Sequence, residues 1–337
     1  MGTREDQSVE TLRGGLIVVL VAYHSAGDMI PPGENAPYSV YPHLAFCVDA
    51  VIMPMFAVLS GFVYAIRPVA AGFVAKFVTR KIERILLPFF AAVTLSYLLG
   101  LLVAGHVEGE ALRNIWRAYL LSYEPFWFLQ SLFLIFLVVA GLDRFGLMAG
   151  PVRWAICLVA ALLVRWATPP TGLFDFFSIW GAFYLLPAFL LGYGLKRYPA
   201  RLRHPALLAA AAIIAVVTLT GLQLAWFGHL DESVKRTGRL GTWAGLSVSF
   251  LLFHFRGTLP LLPTFGLYSY AIYLYHGIAV ALGKRGYDLI DLQTEHLLFL
   301  AKLVVGLTLP IVGERVLRRS GLLSRVFLGL RLPRKEK

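Results

Sequence analysis

The 337 residues are 58% hydrophobic and only 15% charged, with a mean hydropathy of +0.71. That composition excludes an ordinary soluble domain and points to a polytopic membrane protein. The net charge of +12 does not form one nucleic-acid-binding patch, because the cations are dealt out between apolar runs.

Ten runs of roughly spanning length lie near residues 12–30, 44–66, 85–104, 126–142, 152–167, 176–195, 206–226, 241–257, 263–283 and 297–313. They predict an all-α transmembrane bundle of about ten spans, with residues 1–11 as a leader, 12–313 as the membrane domain and 314–337 as a basic tail. With the amino terminus inside, 22 of the 31 Lys and Arg fall on the cytoplasmic side and 8 outside, so both termini are expected in the cytoplasm. The acidic leader (Glu5, Asp6, Glu10) and the bulky His24 beside the small Ala26 argue against a cleaved signal. Cys47 and Cys157 belong near opposite membrane faces, so no disulfide and no metal cluster is expected from them.

The first run, LRGGLIVVLVAYHSAGDMI, carries Arg13, His24 and Asp28. Eleven residues return a helix almost to its starting direction, so Arg13 and His24 share one face about 16 Å apart. Ionisable groups at such depth face a bundle interior or a wet cavity and mark function by default, although an interhelical histidine can also be purely structural. The second run passes from His43 through Asp49 to SGF at residues 60–62, with Pro54 expected to bend it. Depth along the two runs makes Asp49 the better partner for His24, with Asp28 as the alternative carboxylate. Ser60 sits about two turns deeper; pairing it with His24 as nucleophile and base is the weaker reading, since Val58 stands where an intramembrane-protease G-x-S-G motif has glycine.

Next comes the most basic internal loop, with Arg67, Lys76, Arg80, Lys81 and Arg84. Arg80 and Arg84 stand four apart on one helix face with Lys81 alongside, a set able to clamp a phosphate or simply to anchor the cytoplasmic face. Glu124, Trp127 and Gln130 crowd the start of the fourth run, where Trp127 is either an interfacial belt residue or a sugar platform. The seventh and eighth runs look like scaffold. The ninth packs Tyr268, Tyr270, Tyr273, Tyr275 and His276 into nine residues, which suggests a wet interior. The tail from Arg315 onward mixes eight cations with Leu322, Leu323, Val326, Phe327, Leu328 and Leu330, and could lie on an anionic leaflet.

A buried imidazole beside a carboxylate can act as a base near neutrality, so His24 could deprotonate a hydroxyl that then attacks an activated acyl group. The cations gather at the cytoplasmic mouth while the base lies inside, which suits a long anionic donor such as a coenzyme A thioester. No donor for the oxyanion is identifiable. A proton-coupled transporter of an anionic or glycan substrate would use the same His and Asp, but no internal repeat or paired broken helices are visible.

These motifs resemble the acyltransferase-3 type membrane acyltransferases nearly end to end. Arg13 and His24 match an Arg, ten residues, then His; MPMFAVLSGF, RKIERILLP, WFLQSLF and SYAIYLYH match four further family phrases in order. The MPMF form is most similar to the fucose 4-O-acetylase-like and glucan succinyltransferase-like branch. The resemblance implies a multi-pass protein of the bacterial cytoplasmic membrane that transfers an acyl group, usually acetyl from acetyl-CoA, to a sugar hydroxyl of a surface or secreted glycan or its lipid-linked precursor. It also implies His24 as the catalytic residue, Arg13 as its companion and Lys81 with Arg84 as the donor-binding pair. Lys81 replaces the family's arginine, so Arg80 could take over bidentate phosphate binding. Ser60, Trp127, Tyr273 and His276 are the remaining pocket candidates, and acyl-CoA is expected as a co-substrate with no tightly bound cofactor.

Overall fold

The computed structural model describes residues 4–27, 40–104, 113–168, 175–289 and 294–330. Asp28, the alternative carboxylate, therefore lies outside the described residues. Ten helices carry the ten apolar runs: α1 (Arg4–Gly27), α2 (Val40–Ile66), α4 (Leu87–Ala104), α6 (Trp127–Arg144), α7 (Pro151–Ala167), α8 (Ile179–Arg197), α10 (Pro205–Trp226), α11 (Arg239–His254), α12 (Leu262–Asp288) and α13 (Glu295–Leu317). Shorter helices are α3 (Val74–Lys81), joined to α4 by a π turn at Ile82–Leu86, α5 (Ile115–Leu120), α9 (Pro199–Leu202) and α14 (Gly321–Leu328). Among the described residues no strand forms; Leu121 and Phe176 make one isolated bridge.

Seven described helices are long and apolar enough to cross a membrane, α3 and α4 counting together as one rod. Three of the ten expected spans fall short. α7 and α11 have only 17 and 16 residues. α1 is long enough but carries Glu10 and Arg13 as well as His24, which is the polarity a helix in a bundle interior can keep and a lipid-facing one cannot.

The helices run up and down, so loops collect at two ends. At the amino end, Arg256 Nε donates to Ser8 Oγ at 3.1 Å and Leu259 N–H to Thr11 Oγ1 at 3.4 Å. At the opposite end, Tyr41 Oη meets His296 Nδ1 at 2.6 Å and His43 Nε2 meets Gln223 Oε1 at 2.8 Å. The leader expected over residues 1–11 does not stand apart: from Arg4 it is the first turns of α1, because Ser8 and Thr11 are buried by those contacts from the α11–α12 loop. Nor does the described part of the tail lie free. α14 returns to the bundle, where Arg325 pairs with Glu83 at 3.0 Å and Tyr275 Oη donates to Phe327 O at 2.8 Å, leaving Leu322 and Leu323 exposed. Both cysteines are free.

Without water to squeeze out, helices in lipid associate by close packing, which favours small residues at crossings. α1 lies against α12 and α2, and α2 against α8 and α11. Where α2 crosses α8, a Cβ on Gly61 would run into the Phe189 carbonyl, and one on Gly192 into that of Val58. Backbone meets backbone here, so neither side can yield by a rotamer change. Gly192→Val is expected to lower stability by about 3 kcal/mol, read as a fall in melting temperature of the detergent-solubilised protein. Gly141→Ala in α6, where a Cβ meets nothing within 4 Å, should leave it unchanged or slightly raised.

Candidate functional site

Two cavities lie end to end along α1 and α2. The larger, about 500 Å³, opens between the elements of the opposite end; its lining includes Tyr23, His24, Asp49, Glu124, Trp127, Trp226, Arg236 and Tyr273. The smaller, about 310 Å³, belongs to the amino end and is lined by Arg13, Ser60, Tyr64, Arg67, Lys81 and Phe136 among others. On α2, Met53 lines the first and Phe56 the second, so three residues, about 4.5 Å of helix, separate them. An aromatic layer flanks that division: Phe56 meets Phe128 at 6.2 Å between ring centroids, and Phe128 meets Tyr273 at 5.7 Å.

The helical phase of α1 thus puts Arg13 on one cavity and His24 on the other, as its sequence spacing predicts. Asp49 reaches the same cavity as His24 but is engaged elsewhere. Its carboxylate takes Arg236 Nη1 at 3.0 Å, and Glu124 pairs with the same guanidinium at 3.5 Å. The ring beside His24 is His276, 4.8 Å between centroids, with Tyr23 edge-on at 5.1 Å. Depth along two helices located Asp49 correctly but could not foresee that a loop cation would claim it.

Arg236 comes from residues 227–238, a stretch without hydrophobic periodicity and therefore without a signal for its position. The loop is pinned from outside the cavity. Arg165 of α7, buried and stacked 4.6 Å over Trp180, donates to the Thr237 carbonyl. This sets the Arg236 guanidinium 5.2 Å over the Trp127 ring. Burial works against the Arg236 charge, but Asp49, aided by Glu124, outweighs it and holds the pKa above the ordinary arginine value. Trp127, with Arg236 over its ring, offers less free face for a sugar than the sequence suggests; Trp226, stacked on Phe46 at 4.3 Å, is the other indole lining the cavity.

At the amino end, Arg13 pairs with Glu10 at 2.7 Å. Lys81 lies 3.3 Å over the Phe136 ring and lines the cavity with Arg13 and Arg67. Arg80 and Arg84 are exposed and do not line it; the Arg84 carbonyl accepts a hydrogen bond from Tyr270 Oη at 2.7 Å. The expected clamp assumed α-helical phase through residues 80–84, and the π turn beginning at Ile82 breaks that phase. Ser60 Oγ donates to Phe56 O at 2.8 Å and lines the amino-end cavity, away from His24, so the serine–histidine pairing is not formed.

The tyrosines of α12 do not make a wet stripe either. Tyr270, Tyr273 and Tyr275 donate to the carbonyls of Arg84, Pro125 and Phe327, lashing α12 to three other segments. His276 is fully buried, its Nδ1 at 2.8 Å from Tyr273 O and 3.1 Å from Ile272 O.

Neither a search of curated proteins nor one of solved structures gives a match. The profile of the acyltransferase-3 family, described as an acyltransferase domain, matches residues 6–315. That interval runs from the first turns of α1 through most of α13 and takes in both cavities, so the chain belongs to the acyltransferase-3 family of membrane acyltransferases.

Proposed function

We propose that the protein is a membrane O-acyltransferase in which a cytoplasmic acyl-CoA enters the amino-end cavity and a sugar hydroxyl enters the opposite one. The observation that carries this reading is the pair of cavities stacked along α1, one cationic and one holding His24, with about one helical turn between them on α2. A coenzyme A thioester has two chemically distinct ends. Its phosphates suit Arg13, Arg67 and Lys81 at the mouth, and its flexible arm is long enough to carry the thioester toward His24, about 16 Å along the helix.

At the reacting end, His24 takes the proton of the acceptor hydroxyl as its oxygen attacks the thioester carbonyl. The tetrahedral oxyanion collapses, the C–S bond breaks, and the proton passes from His24 to the departing thiolate. Arg236 lines the same cavity and is a candidate for stabilising the oxyanion, its charge held by Asp49 and Glu124. Asp49 is then a positioning residue for Arg236. The carboxylates and the Trp226 and Phe46 rings suit a polyhydroxylated acceptor, which supports a glycan or lipid-linked sugar, with acetyl as the transferred group.

The same reading puts both termini in the cytoplasm and the protein in a bacterial inner membrane, since the amino end carries most of the Lys and Arg. The tail past α13 serves as a cationic anchor at that face, and Leu322 and Leu323 are free to meet lipid. The fucose 4-O-acetylase-like or glucan succinyltransferase-like branch remains the proposed placement within the family.

Purified protein incubated with labelled acetyl-CoA and a panel of pyranoside acceptors should yield labelled glycoside. His24→Ala should cut the transfer rate about 10³-fold with acetyl-CoA binding unchanged; full activity in that variant would sink the mechanism. Lys81→Gln removes a charge from the donor mouth and should raise the KM for acetyl-CoA about tenfold, with little change in kcat and none in acceptor KM. A change confined to acceptor KM would reverse the assignment of the two cavities.

A further inference from the structure

His276 is a fully buried titratable group beside His24, and the acyl-transfer steps leave it unused. Its exposure is 0%, and its ring lies 4.8 Å from that of His24 with the planes 48° apart. Nδ1 has two main-chain carbonyls of its own helix within hydrogen-bonding distance, Tyr273 O at 2.8 Å and Ile272 O at 3.1 Å. A carbonyl can only accept, so Nδ1 must carry the proton. Nε2 is then a bare lone pair, and it is buried with no hydrogen-bond partner among the described residues. A buried acceptor left without a donor is costly and calls for an explanation.

We infer that His276 is a positioning residue for His24: its Nε2 accepts an N–H from the His24 ring and so directs the other His24 nitrogen, unprotonated, at the acceptor hydroxyl. Two imidazoles joined by one N–H···N bond of ordinary length have centroids about 5 Å apart, and the observed 4.8 Å already meets that spacing. In the proposed arrangement the His24 ring is turned so that the bond is closed. The arrangement does for a buried base what a carboxylate does in a catalytic triad, fixing tautomer and orientation. It does so without a third carboxylate beside Asp49 and Glu124. It also supplies the partner that Asp49, engaged with Arg236, does not.

After His24 takes the acceptor proton it holds two N–H groups. One faces the thiolate that will receive the proton and the other faces His276 Nε2, so the protonated intermediate keeps both donors satisfied. The Nδ1–H of His276 stays on the helix carbonyls throughout, and no net proton moves through this residue.

The inference rests on the proposed function in taking His24 as the base, and the test separates the two. With histidine rings labelled with 15N in lipid-reconstituted protein, and His24 assigned by His24→Gln, a nitrogen–nitrogen correlation between the two rings is expected, with a single His24 tautomer. His276→Phe should abolish the correlation, mix the His24 tautomers and lower kcat for acetyl transfer to the pyranosides about 10²-fold at unchanged acetyl-CoA KM. His276→Gln, whose amide oxygen can still accept, should recover most of that loss. Absence of the correlation in wild-type protein overturns the inference, and that measurement needs no variant to fold. An unchanged kcat in folded His276→Phe overturns it as well. If wild-type protein transfers no acyl group, or His24→Ala is fully active, the proposed function fails instead, and the ring correlation still decides whether the two histidines are bonded.

Discussion

The constraint on which this architecture depends is that α1 carries Glu10, Arg13 and His24 in a helix surrounded by apolar ones. Each of those groups is expensive in hydrocarbon unless it faces protein or a wet cavity. α1 is therefore held between α2 and α12, and its crossing with α12 is tight enough that Gly14 lies against the Leu262 carbonyl and Gly266 against that of Glu10. The closest approach of the two backbones is at the amino end of α1, beside Arg13, while farther along the same pair of helices His276 meets His24. The two cavities form along this helix, one at Arg13 and one at His24.

That separation has a chemical consequence. A cation cluster and a base sharing one open cavity would let water reach the thioester, and hydrolysis would compete with transfer. Here Met53, Phe56 and Phe128 crowd the division between the cavities. In the proposed reaction the phosphates stay at the mouth by charge, and the reacting carbon meets His24 only after its surroundings have been stripped of bulk solvent.

Much of this was readable in the residues because it depends on helical phase. The ten apolar runs each became a helix, and the eleven-residue interval between Arg13 and His24 fixed their common face without any knowledge of neighbours. What phase cannot report is where a loop returns. Arg236 sits in an irregular stretch, and its place over Trp127 depends on Arg165, seventy-one residues earlier, gripping the next residue's carbonyl. Asp49 was correctly placed in depth and wrongly partnered for that reason alone. The basic loop is a second case: of its cations Arg67 and Lys81 line the cavity, whereas Arg80 and Arg84, separated by the start of a π turn, are exposed.

The tyrosine-rich segment of α12 illustrates how composition can suggest the wrong solvent. Four phenols and an imidazole within nine residues read as a water-lined stripe, yet three of the phenols end on main-chain carbonyls of other segments. In lipid an unsatisfied carbonyl at a helix break is as costly as an unsatisfied side chain, and Arg84 lies in the π turn while Pro125 and Phe327 lie in or beside a loop. The phenols thus stabilise irregular backbone around α12. Each bond is ordinary, but together they tie α12 to the π turn, to the Glu124–Pro125 segment and to α14. The helix presenting His276 to His24 is thereby fixed against three other segments, one of which, Glu124–Pro125, lines the cavity that holds His24.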